Sequence, residues 1–181
     1  MMDLYSFRVS FLGELSDPEQ VADVLYGSGC DDASVSMERD GSIAYADFDR
    51  ESDDAFTAVM SAIEQIESAG FQVQAVGDDL VTVADIAARA GRSQQTISAW
   101  INQVRGPGGF PAPYIDRHWG AVYSWGEVAT WLAAHQLGDA DPATAHLATV
   151  CATVNAVLQA RSRLRSLPGP AAHRARRLLA A

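Results

Sequence analysis

The chain has 181 residues and 48% hydrophobic content, which excludes a disordered protein and suffices for one domain or two small ones. No segment approaches the roughly 20 apolar residues of a membrane span and no secretory signal pattern begins the chain, so we expect a cytoplasmic protein without membrane contact. The formal net charge of −10 is uneven, because residues 1–79 hold 18 acidic and 3 basic side chains while residues 80–181 hold 5 and 10.

The first residues predict a strand and then a helix. Residues 5–11 alternate between apolar and polar side chains, a period of two that is typical of a half-buried strand. Ser16 is expected to cap a helix that runs to about Tyr26. Pro18 is tolerated in its first turn, and Glu19 completes a capping box.

The rest of the acidic part predicts a hairpin, a long helix and a last strand. Residues 33–48 predict two strands joined by a tight primed turn at Asp40-Gly41. A helix is expected over residues 52–69 and a strand over 71–75. The apolar stripe of this helix consists of Phe56, Val59, Met60, Ile63 and Ile66. The order β-α-β-β-α-β predicts an acidic α+β domain of ferredoxin-like type over residues 1–77, a fold that hosts many functions.

Four aromatic residues of this domain have two interpretations, namely Tyr5, Phe7, Phe11 and Tyr45. On an exposed sheet face they would suit RNA binding, which also needs a basic surface. The strong excess of acidic residues argues against that surface, so we expect these aromatic side chains to pack in the core.

Two short helices are predicted on either side of Gly91. The first follows Thr82, which can form a capping box with Asp85. The second is expected to run from Gln94 to about Gln103, with Ser93 as its cap. Its polar face carries amide and hydroxyl groups, which are suited to base edges in the major groove of DNA.

A helix-turn-helix reads DNA with the first residues of its second helix, while nearby arginines bind phosphates. An ordinary polar surface is the alternative for this face. The arginines around the turn and beyond the second helix favour DNA. The side chains predicted to contact DNA are Arg92, Ser93, Gln94, Gln95, Ser98, Asn102, Arg105, Arg117 and His118.

A constrained loop and a short hairpin follow. The loop over residues 106–113 is rich in Gly and Pro, and Phe110 is expected to fill a core pocket. Residues 114–123 predict a hairpin, or wing, whose tip carries the arginine and histidine of the predicted DNA-contacting set. Ser124 and Glu127 predict a further capping box that opens another helix.

The combined pattern resembles the winged helix-turn-helix of the MerR, excisionase and AlpA-like group. The resemblance rests on the helix, glycine turn and second helix, on Phe-Pro-x-Pro at residues 110–113, on the aromatic wing, and on Trp125, Trp131 and Leu132. It covers about residues 81–132. It implies a winged helix-turn-helix DNA-binding domain over residues 80–136, which contacts DNA through the second helix and the wing in gene regulation or recombination control.

Residues 141–181 predict a C-terminal helix and an arginine-rich tail. The apolar stripe of the helix consists of Leu147, Val150, Cys151, Val154, Val157, Leu158 and Leu164. This spacing suits a coiled-coil seam, so we expect a homodimer through the C-terminal helix, with packing against the protein's own domains as the open alternative. Residues 167–170 are expected to end the helix. Six arginines between residues 161 and 177 then suit DNA phosphates, the acidic half of a neighbouring protomer, or a solvated tail.

Residues that usually carry catalysis form no recognisable pattern. Cys30 and Cys151 stand far apart without a metal-ligand spacing, and we expect two reduced structural thiols. The acidic pairs at 31–32 and 53–54 have no histidine nearby, which favours solvated or capping carboxylates. The Gly-rich stretch at 106–109 lacks the Lys-Ser/Thr of a phosphate-binding loop. We therefore predict no enzyme activity, no catalytic residue, no metal and no cofactor.

The sequence thus predicts a protein that binds double-stranded DNA sequence-specifically. We expect a transcriptional regulator whose acidic domain serves sensing or oligomerisation. The alternative is a protein-interaction module, antitoxin-like or adaptor, whose acidic domain binds a partner protein. A third hypothesis is a small-molecule sensor that uses the ferredoxin-like sheet.

Overall fold

A computed structural model of the chain describes residues 2–14, 17–77, 80–117, 120–138 and 142–179. It is an α+β structure with two antiparallel sheets, which confirms the predicted fold class at this level. The elements are β1 (Asp3–Leu12), α1 (Pro18–Gly27), β2 (Ala33–Met37), β3 (Ala44–Ser52), α2 (Ala55–Ser68), β4 (Gln72–Val76), β5 (Leu80–Thr82), α3 (Val83–Arg89), α4 (Gln94–Ile101), β6 (Ile115–Arg117), β7 (Gly120–Ser124), α5 (Trp125–Ala134), α6 (Pro142–Ser166) and α7 (Gly169–Leu179). We call β1–β4 with α1 and α2 the N-terminal unit, and β5–β7 with α3–α5 the second unit.

The N-terminal unit has a four-stranded antiparallel sheet in the order β2-β3-β1-β4. Alternate residues of β1 face the core because successive side chains of a strand point to opposite sides. Phe7 and Phe11 lie among them, and the Phe7 ring stacks on Phe48 with 5.4 Å between centroids. Core packing of these two aromatics is confirmed. Tyr5 is half-buried beside the core. The expectation is wrong for Tyr45, which lies on the opposite sheet face because it alternates with the buried Ala44 and Ala46.

Carboxylates cap both helices of the N-terminal unit. Asp17 accepts the N–H of Glu19 at 3.1 Å before α1. The cap was predicted at Ser16, which lies outside the described residues; the assignment to Ser16 is wrong, because Asp17 occupies the cap position. Asp54 accepts the N–H of Thr57 at 2.9 Å before α2, which confirms a capping role for this member of its acidic pair.

Two further predictions in this unit are wrong. Phe56 was expected in the core, but it is 52% exposed because alanines occupy the inward positions of the first turns of α2. The hairpin between β2 and β3 has no two-residue primed turn. Residues 38–43 separate the strands, and among them only Gly41 has a positive φ, at 70°. Asp40 instead accepts the N–H of Ser42 at 2.9 Å, a local side-chain turn.

The second unit has a three-stranded antiparallel sheet in the order β5-β7-β6, and α3 and α5 contact it. Strand β5 was not predicted, and it pairs with β7 so that Val81 lies opposite Tyr123. The capping box of Thr82 and Asp85 is confirmed by its two reciprocal hydrogen bonds of 2.8 and 3.3 Å. The box predicted at Ser124 is wrong, because α5 begins there without a side-chain cap bond.

Helix α6 belongs to the cores of both units. Near its start, Ala145 and Ala148 pack in the second unit. Its middle contributes to the core of the N-terminal unit with Val150, Cys151, Val154 and Leu158. Most of the apolar stripe that suited a dimer seam therefore packs inside the chain, the alternative that the sequence left open, while Val157 is 63% exposed. A homodimer through this helix stays a prediction.

The arginine-rich tail forms a second C-terminal helix, α7, which was not predicted. Pro170 lies in its first turn, where the missing N–H has no helical partner to lose. The N–H of Ala172 donates to the carbonyl of Pro168 at 2.9 Å, and Ala172 is buried where α7 returns along α6. Among the described residues, no helix has the length and apolar character that crossing a lipid bilayer requires.

Candidate nucleic-acid interface

A glycine turn sets the geometry of α3 and α4. Gly91 has a φ of +60°, a conformation that glycine adopts without steric cost. The N–H of Arg92 then donates to the carbonyl of Ala87 at 2.9 Å, which closes the turn. Ser93 follows as the cap of α4, and its hydroxyl accepts the N–H of Thr96 at 3.2 Å. Helix α4 therefore begins directly behind a well-defined turn.

Helix α4 has one buried and one exposed face. Ile97 and Trp100 are buried in the second unit, and the Trp100 ring lies 5.5 Å from that of Trp131 on α5. Gln94 and Gln95 are exposed on the other side. Because the buried face is held by a core, the polar face is a surface of fixed shape, which recognition of a rigid partner requires.

Five of the nine predicted contact residues have available side chains. Arg92, Gln94 and Gln95 are exposed at the beginning of α4 and make no side-chain hydrogen bond or ion pair with another described residue. Arg105 and Arg117 are equally exposed and available. Arg105 lies beyond the other end of α4, and Arg117 lies on β6. The structure thus groups three of these residues, and the two others lie apart from them along the fold.

The other four predicted residues differ from this group. Ser93 uses its hydroxyl as the helix cap, and Asn102 donates its side-chain N–H to the carbonyl of Ser98 at 2.8 Å. Ser98 is half-buried. The side chains of Ser93 and Asn102 are engaged in starting and ending α4, and Ser98 is partly covered, so these three residues offer less to a ligand than the glutamines. His118 lies outside the described residues.

Aromatic contacts hold the loop that follows α4. Gly106 has a φ of +94°, and a Cβ at this position would lie 2.5 Å from the Trp100 ring. The indole N–H of Trp131 donates to the carbonyl of Gly108 at 3.0 Å. Phe110 packs edge-on against Trp131 with 4.9 Å between centroids, which confirms that it fills a pocket of the second unit. The loop is therefore part of the folded unit.

Two residues beside this loop are exposed in the structure but were not among the contact residues predicted from the sequence. Val104 is 73% exposed before the glycine-rich stretch, and Tyr114 is 68% exposed after it. Large apolar residues are expected inside, so neither was considered as a contact residue. Their exposure could have been predicted from their position, because no helical or strand period assigns either of them to an inner face.

The charge of the second unit is slightly positive. Residues 80–138 contain four arginines and three acidic residues. The guanidinium of Arg89 lies 4.9 Å from the centre of the Trp125 ring, a cation–π contact inside the unit. Asp85 is held by the α3 cap, where side-chain and backbone hydrogen bonds from Thr82 lower the pKa of its carboxyl. The exposed arginines named above are therefore the main source of positive surface charge here.

The N-terminal unit carries a different surface. On the open face of its sheet, Arg8 donates to both carboxylate oxygens of Asp47, at 2.7 and 2.9 Å, and Ser6 donates to Asp49 at 2.6 Å. These groups satisfy one another. Among the described residues of this sheet face, the Arg8 cation is therefore paired with a carboxylate, whereas single-stranded RNA binding uses available cations beside exposed aromatic rings.

Neither cysteine takes part in this surface. Cys30 and Cys151 are buried and form no disulfide, and burial raises the pKa of the Cys30 thiol. Within the described parts of the chain, no three His, Cys, Asp or Glu side chains come together to hold a metal ion. No protein family, no curated protein and no solved structure matches this chain.

Proposed function

We propose that the chain is a sequence-specific binder of double-stranded DNA and acts as a transcriptional regulator. The observation that carries this proposal is the group of available polar side chains at the beginning of α4, the second helix of a helix pair joined by a glycine turn. Arg92, Gln94 and Gln95 form this group, which we call the α4 tip. The first residues of a second helix are those that enter the major groove in helix-turn-helix proteins.

The surrounding elements support a winged arrangement. The β6–β7 hairpin follows the helix pair, and β7 pairs with β5 directly before α3. In this proposal α4 is the recognition helix and the hairpin is the wing. Arg117 on β6 then approaches a neighbouring phosphate or the minor groove.

The side chains of the α4 tip suit base edges. A glutamine amide pairs with adenine through one donor and one acceptor, and an arginine pairs with guanine through two donors. Gln94 and Gln95 supply the former chemistry, and Arg92 supplies the latter or a phosphate contact. We therefore propose a site that contains adenine opposite the beginning of α4.

The phosphate contacts are few. Three exposed arginines, Arg92, Arg105 and Arg117, belong to the second unit. Three neutralised phosphates predict that the association constant falls about 40-fold between roughly 50 and 200 mM salt. The N-terminal part of the chain repels the DNA backbone, because residues 1–79 contain 18 acidic and 3 basic side chains. Binding by one copy is therefore weak, and assembly of several copies would strengthen it.

We propose that the N-terminal unit is a ferredoxin-like domain that serves oligomerisation or sensing. Its element order β-α-β-β-α-β and its sheet order β2-β3-β1-β4 support this assignment. Helix α6 connects the N-terminal unit with the second unit, because this one helix packs in both hydrophobic cores.

Selection from a randomised duplex library on the immobilised full chain tests the DNA proposal. We expect enrichment of a motif with adenine at one or two positions. Gln95→Ala should lower affinity for that motif about tenfold and relax the preference at one position, since one bidentate base contact contributes roughly 1–3 kcal/mol. Arg92→Ala should lower affinity and also reduce the slope of its salt dependence.

A matched control uses the same residue types away from α4. Gln159 and Arg163 are exposed on α6 beside the N-terminal unit, and Gln159→Ala with Arg163→Ala should leave the motif and its affinity unchanged. The proposal is wrong if the library yields no enriched motif at low salt, or if the control pair loses as much affinity as the α4 tip variants.

A second candidate function is a protein-interaction module whose N-terminal unit binds a basic partner protein. Exposed apolar residues of this unit favour it, since Tyr26 is 69% and Phe56 is 52% exposed among many carboxylates. Such residues are common anchors of protein interfaces. Co-purification of a stoichiometric partner, lost in Tyr26→Ser or Phe56→Ser and kept in the α4 tip variants, would favour this function over DNA binding.

A further inference from the structure

Helices α6 and α7 enclose a groove of about 640 Å³ at one edge of the molecule. Its floor is apolar, and Val157 on that floor is 63% exposed. Its rim is basic. The groove, which we call the arginine groove, is lined by Ala156, Val157, Ala160, Arg161, Leu164, Arg165 and Arg176. An apolar floor between cations suits an amphipathic acidic helix.

The charge of this rim is only partly compensated within the chain. Arg161 donates through both terminal nitrogens to the carboxylate of Glu67 on α2, one contact being 3.0 Å. Arg165 and Arg176 are exposed and form no ion pair with another described residue. No acidic residue occurs in the sequence from residue 142 onwards. The Arg161 contact shows that carboxylates of the N-terminal unit are suitable partners for this helix.

We propose that α1 of a second copy of this chain docks in the arginine groove. Helix α1 exposes Tyr26 at 69%, on the face that also carries the exposed Glu19 and Asp23. Asp23 and Glu19 lie three and seven residues before Tyr26, a spacing that places the three side chains on one side of the helix. Tyr26 then contacts the floor, and the two carboxylates face the arginines of the rim.

The occupant is another copy because α1 cannot reach the groove of its own chain. Helix α6 packs beside β4 and α2, whereas α1 contacts β2. The sheet order β2-β3-β1-β4 puts β2 and β4 at opposite edges, about 14 Å apart at the usual strand spacing. The contact is therefore heterologous: each copy offers its groove to one neighbour and its α1 to the next, which yields a ring or a chain.

A DNA backbone fits the groove less well. Phosphates would pair with the arginines but would leave the apolar floor of Val157 and Leu164 in water, and no aromatic side chain lines the groove for base stacking. A helix of the length of α1 buries a small area, so the contact between two copies is weak, reversible and sensitive to salt.

Sedimentation of the full chain without DNA tests the proposal. At about 50 mM salt the average mass should rise above the monomer mass of 19.3 kDa as concentration increases, and at about 500 mM it should return towards it. Arg165→Glu with Arg176→Glu should raise the dissociation constant at least tenfold. Arg163→Glu with Arg174→Glu changes the same charge outside the groove lining and should leave the association nearly intact.

A charge swap supplies the decisive comparison. Glu19→Arg with Asp23→Arg should abolish association alone, and a mixture of these variants with the Arg165→Glu, Arg176→Glu variants should regain it as heterotypic pairs. A constant 19.3 kDa at all concentrations at low salt overturns the proposal. So does failure of the mixture to associate, or a groove variant that loses DNA affinity with unchanged self-association. The association is independent of the proposed DNA function, whose failure would appear only in the library selection.

Discussion

Asn155→Ala is the sharpest test of the way in which α6 holds the N-terminal unit. The Asn155 side chain accepts the N–H of Val76 and donates to the carbonyl of Val76, each at 2.8 Å. Asn155 is 3% exposed and Val76 is fully buried. The amide therefore pairs with the edge strand β4 as a neighbouring strand would, and it satisfies two backbone groups that water does not reach.

The expected loss follows from these two groups. Each buried backbone group left without a partner costs about 1–3 kcal/mol, so Asn155→Ala should lower the free energy of unfolding by about 3 kcal/mol. Asn155→Leu should lose at least as much, although it restores the buried volume. Asn155→Asp keeps an acceptor for the Val76 N–H but turns a carboxylate towards the carbonyl, so it should not rescue the loss.

Urea denaturation and thermal melting measure this effect. About 3 kcal/mol corresponds to a fall of roughly 6–12 °C in Tm for a chain of this size. Hydrogen exchange of the Val76 amide gives the local readout, because its protection should decrease more than that of amides in the second unit. Gln159→Ala, exposed on the same helix, should change stability by less than about 0.5 kcal/mol. A loss below about 1 kcal/mol for Asn155→Ala, with unchanged protection of Val76, would refute the reasoning.

Three further changes test other parts of the structure. Asp32→Asn removes the carboxylate that binds the buried Arg50 guanidinium at 2.7 Å, and urea denaturation should show a loss of about 3 kcal/mol because the cation stays buried. Hydrogen bonds lower the pKa of Asp85 in the folded state, so the stabilisation that this carboxylate gives is present above the ordinary pKa near 3.8 and is lost as the pH falls through the lower folded pKa. Asp85→Asn should therefore reduce the pH dependence of Tm in that range. Gly106→Ala should cost about 2 kcal/mol by pressing a Cβ into the indole ring below it, whereas Gly109→Ala meets nothing within 4 Å and should cost less.

Local features were predictable from the sequence because their partners are close in the chain. The strand pattern over residues 5–11 needs only its own alternation. The capping box of Thr82 with Asp85 and the cap at Ser93 involve atoms three residues apart. Gly91 occupies a turn whose backbone conformation glycine favours. The candidate interface could be predicted for the same reason, because the residues of the α4 tip lie within about one turn at the capped beginning of a helix.

The errors have equally physical reasons. Residues 167–170 end α6 as predicted, but the helix that follows them was missed, because Pro170 fits the first turn of a new helix, where it loses no hydrogen bond. Strand β5 is only three residues long and exists because β7 offers it a pairing edge. Phe56 lies outside because Ala55 and Ala58 occupy the inward positions of the first turns of α2, which a helical period does not reveal.

The sequence by itself determined the charge division, the glycine turn and the polar beginning of α4, and hence where a DNA contact is to be sought. Only the tertiary structure decided what covers the apolar stripe of α6, which side chains of the α4 tip are available, and where α6 and α7 leave a basic groove open. An apolar stripe requires burial but does not specify the covering surface, because hydrophobic burial is not directional. The amide of Asn155 pairs with Val76, 79 residues away in the chain, through hydrogen bonds that form only when α6 packs on the N-terminal unit.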